Sequence, residues 1–194
     1  MNKKSLIVLL TVLTLSLNSF AQSTAYTPWQ VDFMGGYAAA SGKGTKGGIA
    51  LYLEPKFHIN DNFSAGLRLG GALTAKFTLN DQGDEVGEAS VAVVASYLAT
   101  GDYYFQKEAG AKFRPFAGIG LGFASAAGAS ATTVDAEESE TQSKNGFSGM
   151  VRAGFDVSHF RFNLEYDVNP KTGRISNNYI GVNLGFYIGG GSRN

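Results

Sequence analysis

His58 and His159 are the only histidines in the sequence, and there is no cysteine. Nucleophilic hydrolysis needs a serine activated by a base that an acid orients. Serine and aspartate are common, but none stands at a spacing from His58 or His159 that suggests such a set. Both histidines fall at predicted short turns, His159 as a turn residue and His58 as a polar group of the interior or rim. Without cysteine there is no disulfide framework and no thiolate metal site. The acidic stretch Asp135, Glu137, Glu138 and Glu140 lacks the glycine and terminal bidentate glutamate that a calcium loop of the EF-hand type requires. No residue is therefore assigned to catalysis, to a cofactor or to a metal, and the chain is read as a non-enzyme.

Another set of polar residues offers different chemistry. Asp32, Glu54, Lys56, Arg68, Asp102, Arg114, Arg152, Asp156, Arg161, Glu165 and Asp167 alternate with apolar residues. Five are basic and six acidic, close to balance. Arginine outnumbers lysine, which suits forked hydrogen bonding to carboxylates. Gly66, Gly70, Gly118, Gly120, Gly122 and Gly154 lie on the same face. A solvated surface would carry more lysine and less glycine. The pattern predicts a packed interior of paired charges, since an unpaired buried charge costs several kcal/mol.

Strict alternation is the signature of strands. Phe160, Phe162, Leu164, Tyr166 and Val168 share one face, opposite Arg161, Asn163, Glu165 and Asp167. Ile180, Val182, Leu184, Phe186 and Ile188 repeat the pattern. The same reading predicts strands at Trp29–Ala39, Gly48–His58, Phe63–Ala75, Val91–Phe105, Phe113–Ser125, Gly146–Val157, Phe160–Val168 and Tyr179–Ile188. In the fourth, Val94 and Leu98 fall on the polar face, which predicts a bulge or register break there. Pro55 and Pro115 each remove a ladder hydrogen bond near the short-turn end. Connections Ile59–Asn62, Gln106–Lys112 and Ser158–His159 are short; Ala40–Gly47, Lys76–Ser90, Ala126–Asn145 and Asn169–Asn178 are longer and polar. An even strand count with turns short on one side and long on the other predicts an all-β, eight-stranded antiparallel up-and-down transmembrane barrel, both termini periplasmic.

A soluble periplasmic barrel binding a small apolar ligand would also alternate, with the apolar face inward. Aromatics decide between them. Trp29, Phe57, Phe63, Phe105, Phe113, Phe155, Phe160 and Phe186 stand on the apolar face at the short-turn end of every strand. Eight such rings would crowd a narrow lumen, but form a girdle at a membrane interface. Tyr37, Phe123, Phe147 and Tyr166 begin a sparser second ring. An eight-stranded lumen is only wide enough for side chains to fill it, so no large pore is expected.

At the N-terminus, Lys3 and Lys4 precede an apolar run from Leu6 to Leu17, and Ser19-Phe20-Ala21 offers small residues for signal peptidase. The run is too short for a span of roughly 20 residues. Residues 1–21 are read as a cleaved signal peptide, 22–188 as the barrel and 189–194 as a flexible tail. Cleavage before Gln22 leaves 14 basic and 16 acidic residues, a balance that gives no reason to expect nucleic acid.

Three pieces carry a family resemblance: Thr100-Gly101-Asp102-Tyr103-Tyr104-Phe105, the stretch from Phe113 to Gly122, and Tyr179 to Phe186. With the strand pattern from Trp29 to Ile188, the chain resembles the small bacterial outer-membrane β-barrel family, of the OmpX and OmpA-transmembrane-domain type. That resemblance implies the bacterial outer membrane, contact with its lipid and lipopolysaccharide, and a monomer. It also implies delivery to the barrel-assembly machinery through Gly181, Leu184 and Phe186, although Ile188 and a glycine-rich tail follow where the family usually ends on an aromatic. Some barrels resembling this one are lipid-modifying enzymes; the positions of His58 and His159 speak against that. A structural or surface-interaction role is expected instead. The loops fit such a role. Asp81, Asp84, Glu85 and Glu88, with the acidic third loop, face a basic sector of Lys43, Lys46, Lys171 and Arg174. Such a divided rim could dock a surface partner or cations that bridge lipopolysaccharide.

Overall fold

The computed structural model describes residues 26–40, 45–79, 85–105, 108, 110–132, 141–171 and 176–190. The expected signal peptide lies outside the described residues, as do the acidic cluster of the third loop, Asp81, Asp84, Lys43 and Arg174.

Eight strands run in order: β1 (Trp29–Ala40), β2 (Thr45–His58), β3 (Phe63–Leu79), β4 (Glu85–Tyr104), β5 (Phe113–Thr132), β6 (Thr141–Val157), β7 (Phe160–Val168) and β8 (Tyr179–Gly189). Each pairs antiparallel with the next, and β1 pairs with β8 from Gln30↔Gly189 to Ala40↔Tyr179, closing the barrel. Closure satisfies every strand edge, which a sheet in hydrocarbon requires because no water is there to do so.

The predicted short turns are short in the structure. Ser158 and His159 alone join β6 to β7, and Ser158 takes φ 55°, the positive value that a two-residue hairpin needs at its first central position. On the other side the strands run further than predicted. β3 reaches Leu79, β4 starts at Glu85, β5 reaches Thr132 and β6 starts at Thr141. Much of the two stretches read as long polar loops is therefore ladder. Backbone pairing continues there beyond the bounds that alternation suggested.

The expected break in β4 is absent. Its ladder with β5 runs unshifted from Glu88↔Thr132 to Tyr104↔Phe116. Val94 and Leu98 do point inward: Val94 packs with Ala124 and Ala126 in a small apolar layer near the loop end. Irregularities lie instead between Lys46 and Gly48 and between Phe77 and Leu79. Neither proline shifts the register of its strand. The β2–β3 pairing skips Pro55 without changing register, and Pro115 sits just past the end of the β4–β5 ladder, where its carbonyl accepts from Phe105 N at 2.8 Å.

A cross-braced interior and an apolar outer belt

The alternation sorts side chains between two environments. All eleven charged residues singled out in the sequence point into the barrel and are buried. Outside, the surface is apolar over the middle of the strands: Leu51, Leu67, Ile119, Leu121, Val151, Leu164 and Leu184 are all exposed. Such a continuous apolar belt has no place in water. The polar groups are inside and the hydrophobic ones outside, the inverse of a soluble ligand-binding barrel, and the soluble alternative fails on that point.

The aromatic residues of the short-turn girdle all lie on the outer face. Trp29 packs edge-on against Phe57 with ring centroids 5.0 Å apart, Phe33 stacks on Phe186 at 5.2 Å, and Phe113 meets Phe155 at 5.5 Å. In the second ring Phe123 and Phe147 contact at 6.5 Å.

Inside, the charges form two groups. The larger lies nearer the short-turn end. Asp102 of β4 is its hub, meeting Lys56 Nζ at 2.8 Å, Arg152 Nε at 2.8 Å and Arg161 Nη2 at 2.7 Å. Lys56 also reaches Asp32 at 2.7 Å, and Arg152 forks onto Glu54, both bonds 2.6 Å long. Thr100 Oγ1 donates to Glu54 at 2.6 Å. Arg114 extends the group to Asp156 at 3.1 Å. Four bases thus face four acids: Lys56, Arg114, Arg152 and Arg161 against Asp32, Glu54, Asp102 and Asp156. The second group lies toward the loops, where Arg68 forks onto Glu165 at 2.8 and 3.1 Å with Asp167 3.6 Å away.

The glycines give these side chains room. At Gly118 an added methyl would overlap Asp102 Oδ1, so the hub carboxylate lies where any other residue on β5 would place its Cβ.

Inward aromatics complete the packing, and sequence reasoning did not single them out. Tyr52 stacks under Arg68 at 3.6 Å, and Phe116 under Arg161 at 3.6 Å. Tyr52 OH and Tyr179 OH are 3.1 Å apart. Tyr104 bonds Arg161 at 3.2 Å. The parity of each within its strand was the available signal.

His58 faces inward, 2.9 Å from Gln30 Oε1, and Gln30 in turn donates to Asp32 at 2.5 Å. His159 is exposed in the turn, its Nδ1 3.3 Å from Tyr187 O. The structure does not bring the two histidines into one catalytic set. No group of three or more metal-ligating side chains gathers among the described residues.

A closed antiparallel barrel with a charged, cross-braced interior and an apolar, aromatic-banded exterior defines a membrane-spanning β-barrel protein. The sequence matches the outer membrane protein beta-barrel domain family over residues 7–188, and the chain belongs to that family. No curated protein sequence matches it. Among solved structures, Neisserial surface protein A (NspA) superposes with a TM-score of 0.53 at 13% identity, covering 84% of this chain and 97% of that one. Ail, the attachment invasion locus protein of Yersinia pestis, gives 0.49 at 12% identity over 86% and 100%. OprG of Pseudomonas aeruginosa gives 0.48 at 12% identity over 86% and 98%. Likeness at such identities concerns the fold alone.

Proposed function

We propose that this outer-membrane barrel is a monomer with a structural or surface-interaction role, and that it has no large pore. The observation that carries the reading is the interior network around Asp102, where bases and acids from β1, β2, β4, β6 and β7 meet within hydrogen-bonding distance across the bore. Moving one of these side chains aside to admit a solute would strand a buried charge, at a cost of several kcal/mol. With the lumen filled, function passes to the surfaces that leave the membrane. The longer connections on the outer side carry contacts with lipopolysaccharide or a partner, and the short turns and both termini face the periplasm. The division of the rim into a basic and an acidic sector is part of this reading, supported by the adjacency of β1 and β8, which makes the first and last outer connections neighbours.

The test is single-channel recording of the refolded chain in a planar bilayer. No steady conductance on the scale of a general porin is expected. Such a conductance would overturn the proposal.

A further inference from the structure

A cavity of about 390 Å³ lies at the short-turn mouth of the barrel, walled in part by Tyr26, Lys112, Arg114, Ser158 and His159. Lys112 and Arg114 are basic and His159 brings an imidazole, while no carboxylate lies among the described residues of its wall. Arg114 forms the inner part. Its side chain is 2% exposed. Nη2 serves Asp156 at 3.1 Å and Tyr187 OH at 3.2 Å, but Nη1 has no hydrogen-bond partner among the described residues. Asp156, the acid that Arg114 touches, is also approached by Arg161 at 3.5 Å. The Tyr26 ring packs 4.3 Å from the Arg114 guanidinium, held by a bond from its hydroxyl to Ala111 O at 3.0 Å.

Lys112 and His159 are exposed on the rim. Their backbones are fixed there: Ser158 N donates to Lys112 O at 3.1 Å, and Tyr187 N donates to His159 O at 2.8 Å. Each is followed in sequence by a girdle aromatic, Phe113 and Phe160, both exposed on the outer face. Aromatic girdles sit at the depth of the lipid headgroups. The cationic mouth therefore opens at the level where phosphates are dense. Its volume falls in the range of ordinary small-ligand sites.

We propose that this mouth is a binding site for a phosphate group, supplied by a phospholipid headgroup or by free phosphate. Lys112 makes the direct charged contact, His159 and Ser158 offer a ring nitrogen and a hydroxyl, and Arg114 supplies positive charge from the buried side, where screening is weak.

The test uses the full chain refolded in maltoside micelles, which contain no phosphate. Inorganic phosphate and dihexanoylphosphatidylglycerol are titrated separately while the amide NMR signals of Lys112, Ser158, His159 and Gly190 are followed. Saturable shifts confined to these residues are expected, with affinity about tenfold weaker in the Lys112→Gln/His159→Gln variant. Both substitutions are on the exposed rim, so folding of the variant is checked by heat-modifiable migration in gels. Equal response to both probes supports recognition of the phosphate itself, and a response to the lipid alone supports the headgroup as its source. No saturable shift with either probe, or an affinity unchanged in the double variant, overturns the proposal.

Discussion

Arg152 on β6 grips Glu54 on β2 with two bonds of 2.6 Å, and those strands lie four places apart around an eight-stranded barrel. They are diametrically opposed, so the pair spans the full bore. Arg68 on β3 and Glu165 on β7 make a second forked pair across the other diameter. Forked pairing fixes direction as well as distance. Two such struts brace a cylinder whose interior apolar packing is confined to small clusters.

A double-mutant cycle measures the first strut. Arg152→Met and Glu54→Gln each remove one partner and leave charge uncompensated in a buried site, so each is expected to cost about 3–5 kcal/mol. The double variant should cost clearly less than the two together. Urea titration of folding into vesicles, read by Trp29 fluorescence, supplies the numbers. Strict additivity would show that the two residues do not act as a pair.

Gly118→Ala should destabilise by about 1–3 kcal/mol, because the new methyl overlaps the Asp102 carboxylate and the Gly101 carbonyl. The same substitution at Gly149, where the added methyl meets Leu121 Cδ2 at 3.5 Å and Gly120 O at 3.6 Å, should be far milder. The comparison of unfolding midpoints is informative only as a pair. Equal midpoints would mean that Asp102 is not confined.

Leu164→Arg places a charge in the outer belt and should cost about 2–4 kcal/mol in a bilayer. Its neighbour Asn163 points inward, so Asn163→Gln tests parity at nearly the same height. Folding yield into vesicles is the measurement. Normal insertion of Leu164→Arg would remove the belt from contact with lipid.

The β6–β7 turn gives a backbone prediction. Ser158 at φ 55° is the only described non-glycine residue with a positive φ. Ser158→Val should cost about 1–2 kcal/mol, since a β-branched side chain resists that conformation. Ser158→Gly should be nearly neutral. A valine variant as stable as the native chain would contradict the assigned turn.

Strand number and the face on which each charge lies could be read from residue parity, whereas the expected contrast of short and long connections narrows in the structure, where 41–44 join β1 to β2 and 105–112 join β4 to β5. Side chains alternate with a period of two, and the membrane demands that every strand obey it. Phe160 to Val168 shows the logic at its cleanest, and each of the eleven interior charges was assigned correctly by it. Parity places a strand and its faces but not the end of its ladder, and β4 and β5 extend beyond the bounds read from it. It also misread Val94 and Leu98 as a register fault, when they are inward apolar residues in an unbroken ladder.

Partnership across the bore belongs to the tertiary structure alone. Nothing near Arg152 in sequence points to Glu54, 98 residues away, or to Asp102 as the residue on which three bases converge. Closure and stagger set which strands oppose each other and at what height, and those are properties of the whole cylinder. The sequence by itself determined that charges of both signs would be enclosed. The closed barrel decided which of them meet, because a buried ion pair forms only where two strands bring its ends within hydrogen-bonding reach.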